Sequence, residues 1–109
     1  MKKIVFIVLI FVTSLSYSQT AEEYFKKAQD KFRINQGSIG AIEDFTIAIN
    51  LNPKYEEAYY WRGIIKHELG DFQGAIEDFT EAIEINPKSD AYKERGITKN
   101  DIHYYLGAI

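Results

Sequence analysis

The segment GAIEDFTIAINLNP at residues 40–53 returns at residues 74–87 as GAIEDFTEAIEINP, identical at 11 of 14 positions and displaced by 34 residues. No other feature constrains the fold as strongly. A unit repeated at this period cannot bury its own apolar face and needs a neighbouring copy against it. Within the copies the apolar residues recur at helical spacing: Ala41, Ile42, Phe45, Ala48 and Ile49, then Ala75, Ile76, Phe79, Ala82 and Ile83. Glu77, Asp78, Glu81 and Glu84 fall on the other side. The pattern predicts an amphipathic helix in each copy, with the Glu43-Asp44 and Glu77-Asp78 pairs among its solvated charges. Each copy closes on Asn-Pro (Asn52-Pro53 and Asn86-Pro87), where proline cannot continue the helix and restrains the residue before it.

Between the copies the sequence predicts a further helix, roughly Tyr55 to Leu69. Gly70 suits a left-handed C-terminal cap and Asp71 the N-cap of the helix that follows. Gly63 falls inside the first of these helices, where glycine costs about 1 kcal/mol relative to alanine. A glycine there points to close backbone approach, and Ala75 and Ala82 are small enough to let a neighbouring helix near. The unit is therefore helix, tight turn, helix, proline. An earlier unit begins at Ala21, with Tyr24 and Ala28 standing where Tyr59 and Gly63 stand and one extra residue near Gln36-Gly37-Ser38. A later one, SDAYKERGITKNDIHYYLGAI, aligns Tyr92 and Gly96 at a step of 33, one residue short in its loop. Its closing GAI, at 107–109, marks the place where a third second helix would start.

Residues 56–87, EEAYYWRGIIKHELGDFQGAIEDFTEAIEINP, resemble one tetratricopeptide repeat. Tyr59 stands where that family prefers Trp, Gly63 matches its small first-helix residue, and Ala75, Phe79, Ala82 and Pro87 match its second helix and closing proline. Arg62 and Lys66 depart from the family's Leu and Tyr. The resemblance implies an all-α, TPR-type α-solenoid of about two and a half repeats: repeat one at 21–53, repeat two at 56–87 and a partial repeat three at 89–109. It also implies a concave groove lined by first helices that holds a peptide or partner helix. By alignment that groove takes Phe25, Gln29, Phe32 and Arg33, then Tyr60, Ile64, His67 and Glu68, then Lys93, Ile97 and Asn100. Trp61 joins them because Tyr59-Tyr60-Trp61 cannot all face one core. Displayed aromatics are common recognition anchors; the alternative, that they cover neighbouring helices, stays open on periodicity alone. Repeats that grip chaperone carboxylates do so with Lys, Asn and Arg, whereas the aligned residues here are Phe25, Gln29, Trp61, Asp90 and Glu94. A carboxylate would meet too little positive charge.

The first residues, MKKIVFIVLIFVTSLSYSQT, have the layout of a secretory leader: two lysines, an unbroken apolar run from Ile4 to Val12, then small polar residues. The run is too short for a span of ~20 residues, so a cleaved signal peptide at 1–18 is expected, followed by a TPR domain at 19–109 in a periplasmic or secreted bacterial protein. Loss of Lys2 and Lys3 leaves 11 basic against 16 acidic residues. An acidic chain with no basic cluster does not suit nucleic acid, and no membrane span remains after cleavage. The chain holds no cysteine, which excludes disulfides and thiol chemistry.

His67 and His103 lack metal-ligand spacing to each other. His67-Glu68 with Asp71 could be drawn as a metal corner, but an exposed helical histidine beside acids is the simpler account. With no phosphate loop or nucleophile motif, the expectation is a non-catalytic interaction module without cofactor or metal, whose partner is a protein or peptide. The alternative is a structural subunit or truncated remnant that stacks on another chain, or on itself, through an uncapped C-terminal end. Solenoids of fewer than about three repeats are marginal alone.

Overall fold

The computed structural model of the protein describes residues 20–34 and 37–107. The expected leader with its cut after Ser18, Gln36 of the stretch expected to hold the extra residue, and the last two letters of the closing GAI lie outside these residues. Five helices and no strand occur among the described residues: α1 (20–33), α2 (Ser38–Leu51), α3 (Glu56–Glu68), α4 (Phe72–Ile85) and α5 (Ala91–Gly107). They stack in chain order, α3 against both α2 and α4, and α5 against α4.

The stops act alike in both copies. Asn52 and Asn86 leave the helical region at φ −138° and −135°, as a residue before proline must. Each then turns its side chain to accept from the amide two residues on, Lys54 N at 3.2 Å and Lys88 N at 3.1 Å, a turn that asparagine makes readily. Between α3 and α4, Gly70 takes φ +86°, and Asp71 caps α4 by accepting from Gly74 N at 3.0 Å.

Two clusters form the core. Phe25 and Ala28 of α1, Ala41, Phe45, Ala48 and Ile49 of α2, and Ala58 and Ile65 of α3 make the first. Ala75, Phe79, Ala82 and Ile83 of α4 make the second with Ala91 of α5, and Tyr59, Tyr60 and Ile64 of α3 lie against it. Phe45 and Phe79 are fully buried, each contributing roughly 1.5–3 kcal/mol of apolar transfer. The close approach at Gly63 is to a ring: a Cβ added there would stand 2.6 Å from Phe79 Cε1. Gly63 is the floor of the Phe79 site.

Two expectations are corrected. The acidic pairs are not uniformly solvated, because Asp44 and Asp78 are buried while Glu43 and Glu77 stay exposed. Arg62 of α3 grips Asp78 with two hydrogen bonds, Nε to Oδ2 at 2.8 Å and Nη2 to Oδ1 at 2.7 Å, and Lys66 Nζ lies 3.1 Å from Oδ2. The third guanidinium nitrogen, Nη1, donates to Thr46 Oγ1 of α2 at 3.1 Å. The side chains that depart from the family's Leu and Tyr are thus the counter-charges of a buried aspartate. Burial opposes the Arg62 charge, but the hydrogen bonds and charge of Asp78 outweigh it and hold the guanidinium above its ordinary pKa. Among the described residues Asp44 has only Lys31, at 2.7 Å in an ion pair off the line of a hydrogen bond.

The second correction concerns α5. At the place equivalent to the Gly70-Asp71 turn it has His103 and Tyr104, neither suited to a left-handed cap, and the helix runs on to Gly107. Tyr105 stacks on Phe72 with ring centres 5.6 Å apart, tying this extra turn to the start of α4. Gly107, the first letter of the closing GAI, is therefore part of α5.

Candidate functional site

The first helices of successive units, α1, α3 and α5, carry the surface expected to bind. Trp61 lies at its middle. On one side a cavity of about 360 Å³ is lined by Gln29, Asp30, Phe32, Arg33 and Trp61. On the other, one of about 250 Å³ is lined by Glu56, Glu57, Tyr60, Trp61, Ser89 and Asp90. The indole is the wall they share. It is held edge-on by Phe32 at 6.3 Å and by Tyr60 at 5.8 Å between ring centres, so it is half-buried yet faces both hollows. Tyr59, Tyr60 and Trp61 all pack partly on the helices beside them, and display and packing coexist in the same side chains.

Of the groove residues read from the sequence, Gln29, Phe32, Arg33, Tyr60 and Trp61 come together around these cavities. Phe25 does not: it is 9% exposed, stacked on Tyr55 at 4.9 Å and edge-on to Phe45. It is a core residue, drawn inward because α2 presents Phe45 to that face of α1. Ile64 lies half-buried against the second core cluster. Lys93, Ile97 and Asn100 stand exposed on α5 and line neither cavity.

His67 is not the exposed histidine expected. Its Nδ1 lies 2.8 Å from Thr98 Oγ1 and its Nε2 2.8 Å from Asp101 Oδ2, so the ring bridges α3 to α5. Asp71, drawn beside it in the metal corner, is engaged as the cap of α4. Among the described residues no group of three His, Cys, Asp or Glu side chains could hold a metal ion, and no helix is long and apolar enough to cross a membrane.

Asp30, Glu56, Glu57 and Ser89 are cavity residues that sequence reasoning missed. The signal was available for three of them: Glu56-Glu57 and Ser89-Asp90 occupy the same place in successive units, at the step of 33, about the start of a first helix. The hollow they form is acidic. Glu56, Glu57, Asp90 and Glu94 have no basic partner within ion-pair distance among the described residues. Burial raises the Tyr60 phenol above its ordinary pKa, and the charges of Glu94, Asp90 and Glu56 raise it further.

Residues 56–89 match the tetratricopeptide repeat family, and none of the curated proteins matches the chain. Among solved structures it is similar to the crystal structure of MamA at 30% identity and TM-score 0.73, over 77% of this chain and 49% of that one. It is similar to the Arabidopsis OM64 TPR domain at 28% identity and TM-score 0.76, over 83% and 74% of the two chains. To the TPR2B domain of yeast Sti1, in a complex with pHsp70, it is similar at 25% identity and TM-score 0.74, over 83% and 72%. The chain spans about half the length of that MamA structure.

Proposed function

Because the chain belongs to the tetratricopeptide-repeat family, we propose that it is a non-catalytic interaction module that holds a peptide or partner helix across Trp61. The shared Trp61 wall between two adjoining cavities carries this reading. Aromatic side chains of this kind anchor recognition when a partner completes their burial. The Sti1 domain, solved as a complex with pHsp70, supports a partner that is itself polypeptide.

The four carboxylates beside Tyr60, without an ion-pair partner among the described residues, favour a peptide carrying Lys or Arg and disfavour an acidic tail. Trp61 is the single tryptophan of the chain, so its emission reports the site directly. Selection of an arrayed peptide library on the full chain, read by Trp61 emission, should enrich basic sequences whose binding is lost in Trp61→Ala. Enrichment of acidic sequences, or binding indifferent to Trp61→Ala, would refute the reading. The leader-like residues 1–18 support placing this activity outside the cytoplasm, which N-terminal sequencing of the exported protein would test.

A second reading, stacking on another chain through α5, is favoured by one observation. The α5 surface that matches the α4-facing side of α3 is bare among the described residues: Tyr92 and Ile97 are 50% and 41% exposed, and nothing lies within 4 Å of a Cβ built on Gly96. Sedimentation over a concentration series would reveal association through this face, and an unchanged monomer mixed with candidate partners would count against it.

A further inference from the structure

The repeat supplies its own template for what would cover α5. On α3, Tyr59, Arg62, Gly63 and Lys66 meet α4; on α5 the residues in register are Tyr92, Arg95, Gly96 and Lys99. The poses match as well as the letters. Arg62 lies over the Tyr59 ring at 5.7 Å and donates through Nη1 to Thr46 of the preceding helix. Arg95 lies over the Tyr92 ring at 5.3 Å and donates through Nη1 to Thr80 of the preceding helix at 3.2 Å. Both threonines give their own proton to a carbonyl one turn back, Ile42 O and Ile76 O, and so are free to accept.

The difference lies in the rest of the fork. Nε and Nη2 of Arg62 hold the Asp78 carboxylate, while those of Arg95 have no acceptor among the described residues. A guanidinium fixed at one nitrogen, with its other two left without an acceptor, is arranged for a carboxylate, and its planar fork makes that preference specific. Beside it Gly96 leaves the hollow that Phe79 fills at Gly63.

Which helix could fill it? The matching Asp-Phe pairs of this chain, Asp44-Phe45 and Asp78-Phe79, sit in α2 and α4 with both rings fully buried, so a folded second copy does not offer one. Nor does α5 fold back where α3 does, since it continues past that point and is tied down by Tyr105 on Phe72.

We propose that the open face of α5 is a docking site for a helix of another protein bearing the pattern Ala-x-x-Asp-Phe-x-x-Ala, its phenylalanine seated on Gly96 and its carboxylate in the fork of Arg95 with Lys99 beside it. This rests on the second reading above, that α5 stacks on another chain, and adds what the partner must carry.

The probe is a labelled peptide of residues 71–86, the α4 sequence with its cap, titrated with the full chain and followed by fluorescence anisotropy. Saturable binding is expected, weakened about tenfold or more by Gly96→Leu or Arg95→Gln in the chain and by Phe79→Ala or Asp78→Asn in the peptide, and unchanged by Trp61→Ala. Thermal melting confirms that each chain variant is folded; Gly96→Leu adds its side chain into open space. Absence of binding overturns the proposal, as does binding lost in Trp61→Ala and kept in Gly96→Leu, which would place the peptide in the concave groove. Binding that needs Gly96 but tolerates both peptide changes would overturn the Asp-Phe requirement and leave stacking intact. Self-association of the chain lost in Gly96→Leu would make a second copy the occupant and overturn the proposal too.

Discussion

The side of α3 that meets α4 and its counterpart on α5 carry the same letters, Tyr59, Arg62, Gly63 and Lys66 against Tyr92, Arg95, Gly96 and Lys99, yet one is a finished interior wall and the other an open surface. On α3, Arg62 and Lys66 share a buried carboxylate and Gly63 seats a buried ring. On α5, the residues in register are half-buried or exposed. The difference is the presence of α4, since the side chains themselves are nearly the same. In a stacked fold, a residue's energetic worth is set by the helix laid against it, because each unit buries its apolar face only on a neighbour. Identical substitutions at the two places should therefore behave differently, and that can be measured.

The largest expected difference lies in the charges. Asp78→Ala removes the acceptor of Arg62 and Lys66 and leaves two cations half-buried without it; losing one partner of a buried pair costs about 3–5 kcal/mol. Asp44→Ala should cost nearer 1 kcal/mol, because its ion-pair partner Lys31 is 44% exposed in its side chain and can turn to water. Urea unfolding of the two variants compares them directly. Equal losses would mean the Arg62 fork adds nothing.

The next difference is steric. Gly63→Ala drives a methyl to 2.6 Å from the Phe79 ring, and overpacking of a filled site costs about 1–3 kcal/mol, less whatever helix propensity returns. Gly96→Ala meets nothing and should gain up to about 1 kcal/mol from the same propensity. Opposite signs in thermal melts sustain the comparison. A destabilising Gly96→Ala would show that a helix already covers α5 in solution.

How much of this was legible in the letters follows from what each feature depends on. The helix stops at Asn-Pro, the Gly70 turn and the Asp71 cap are local, and their residues announced them. The buried Asp78 was not legible, since one-dimensional periodicity puts it on the polar face beside Glu77. Its burial depends on Arg62 and Lys66, 16 and 12 residues earlier, which read as drift from the family pattern. Phe25 failed as a groove residue for a related reason: alignment gave its register, but α2 decides where its ring goes. Trp61 was legible because three consecutive aromatics exceed what one helix face can bury. That it would separate two cavities needed Asp30 and Ser89, from distant parts of the chain, each brought to a cavity that Trp61 lines. The extra turn of α5 was legible only as an absence, namely that His103 stands where Gly70 would.

The smallest expected effect is the most exacting for the comparison. Arg62→Ala should be among the costlier single changes, because it strands a carboxylate that is 3% exposed in its side chain. Among the described residues Arg95→Ala strands nothing: Thr80 keeps its bond to Ile76 O, Tyr92 is already half in water, and no carboxylate holds the guanidinium. Its effect on the chain alone should stay within about 0.5 kcal/mol, the range of an ordinary surface substitution. The measurement is a pair of urea curves at two protein concentrations. A loss of about 2 kcal/mol or more, growing with concentration, would mean Arg95 already holds a carboxylate supplied by another copy. A near-zero change at both concentrations leaves a positioned guanidinium whose fork contributes little to folding, so any effect of Arg95 on binding can be assigned to the docked helix.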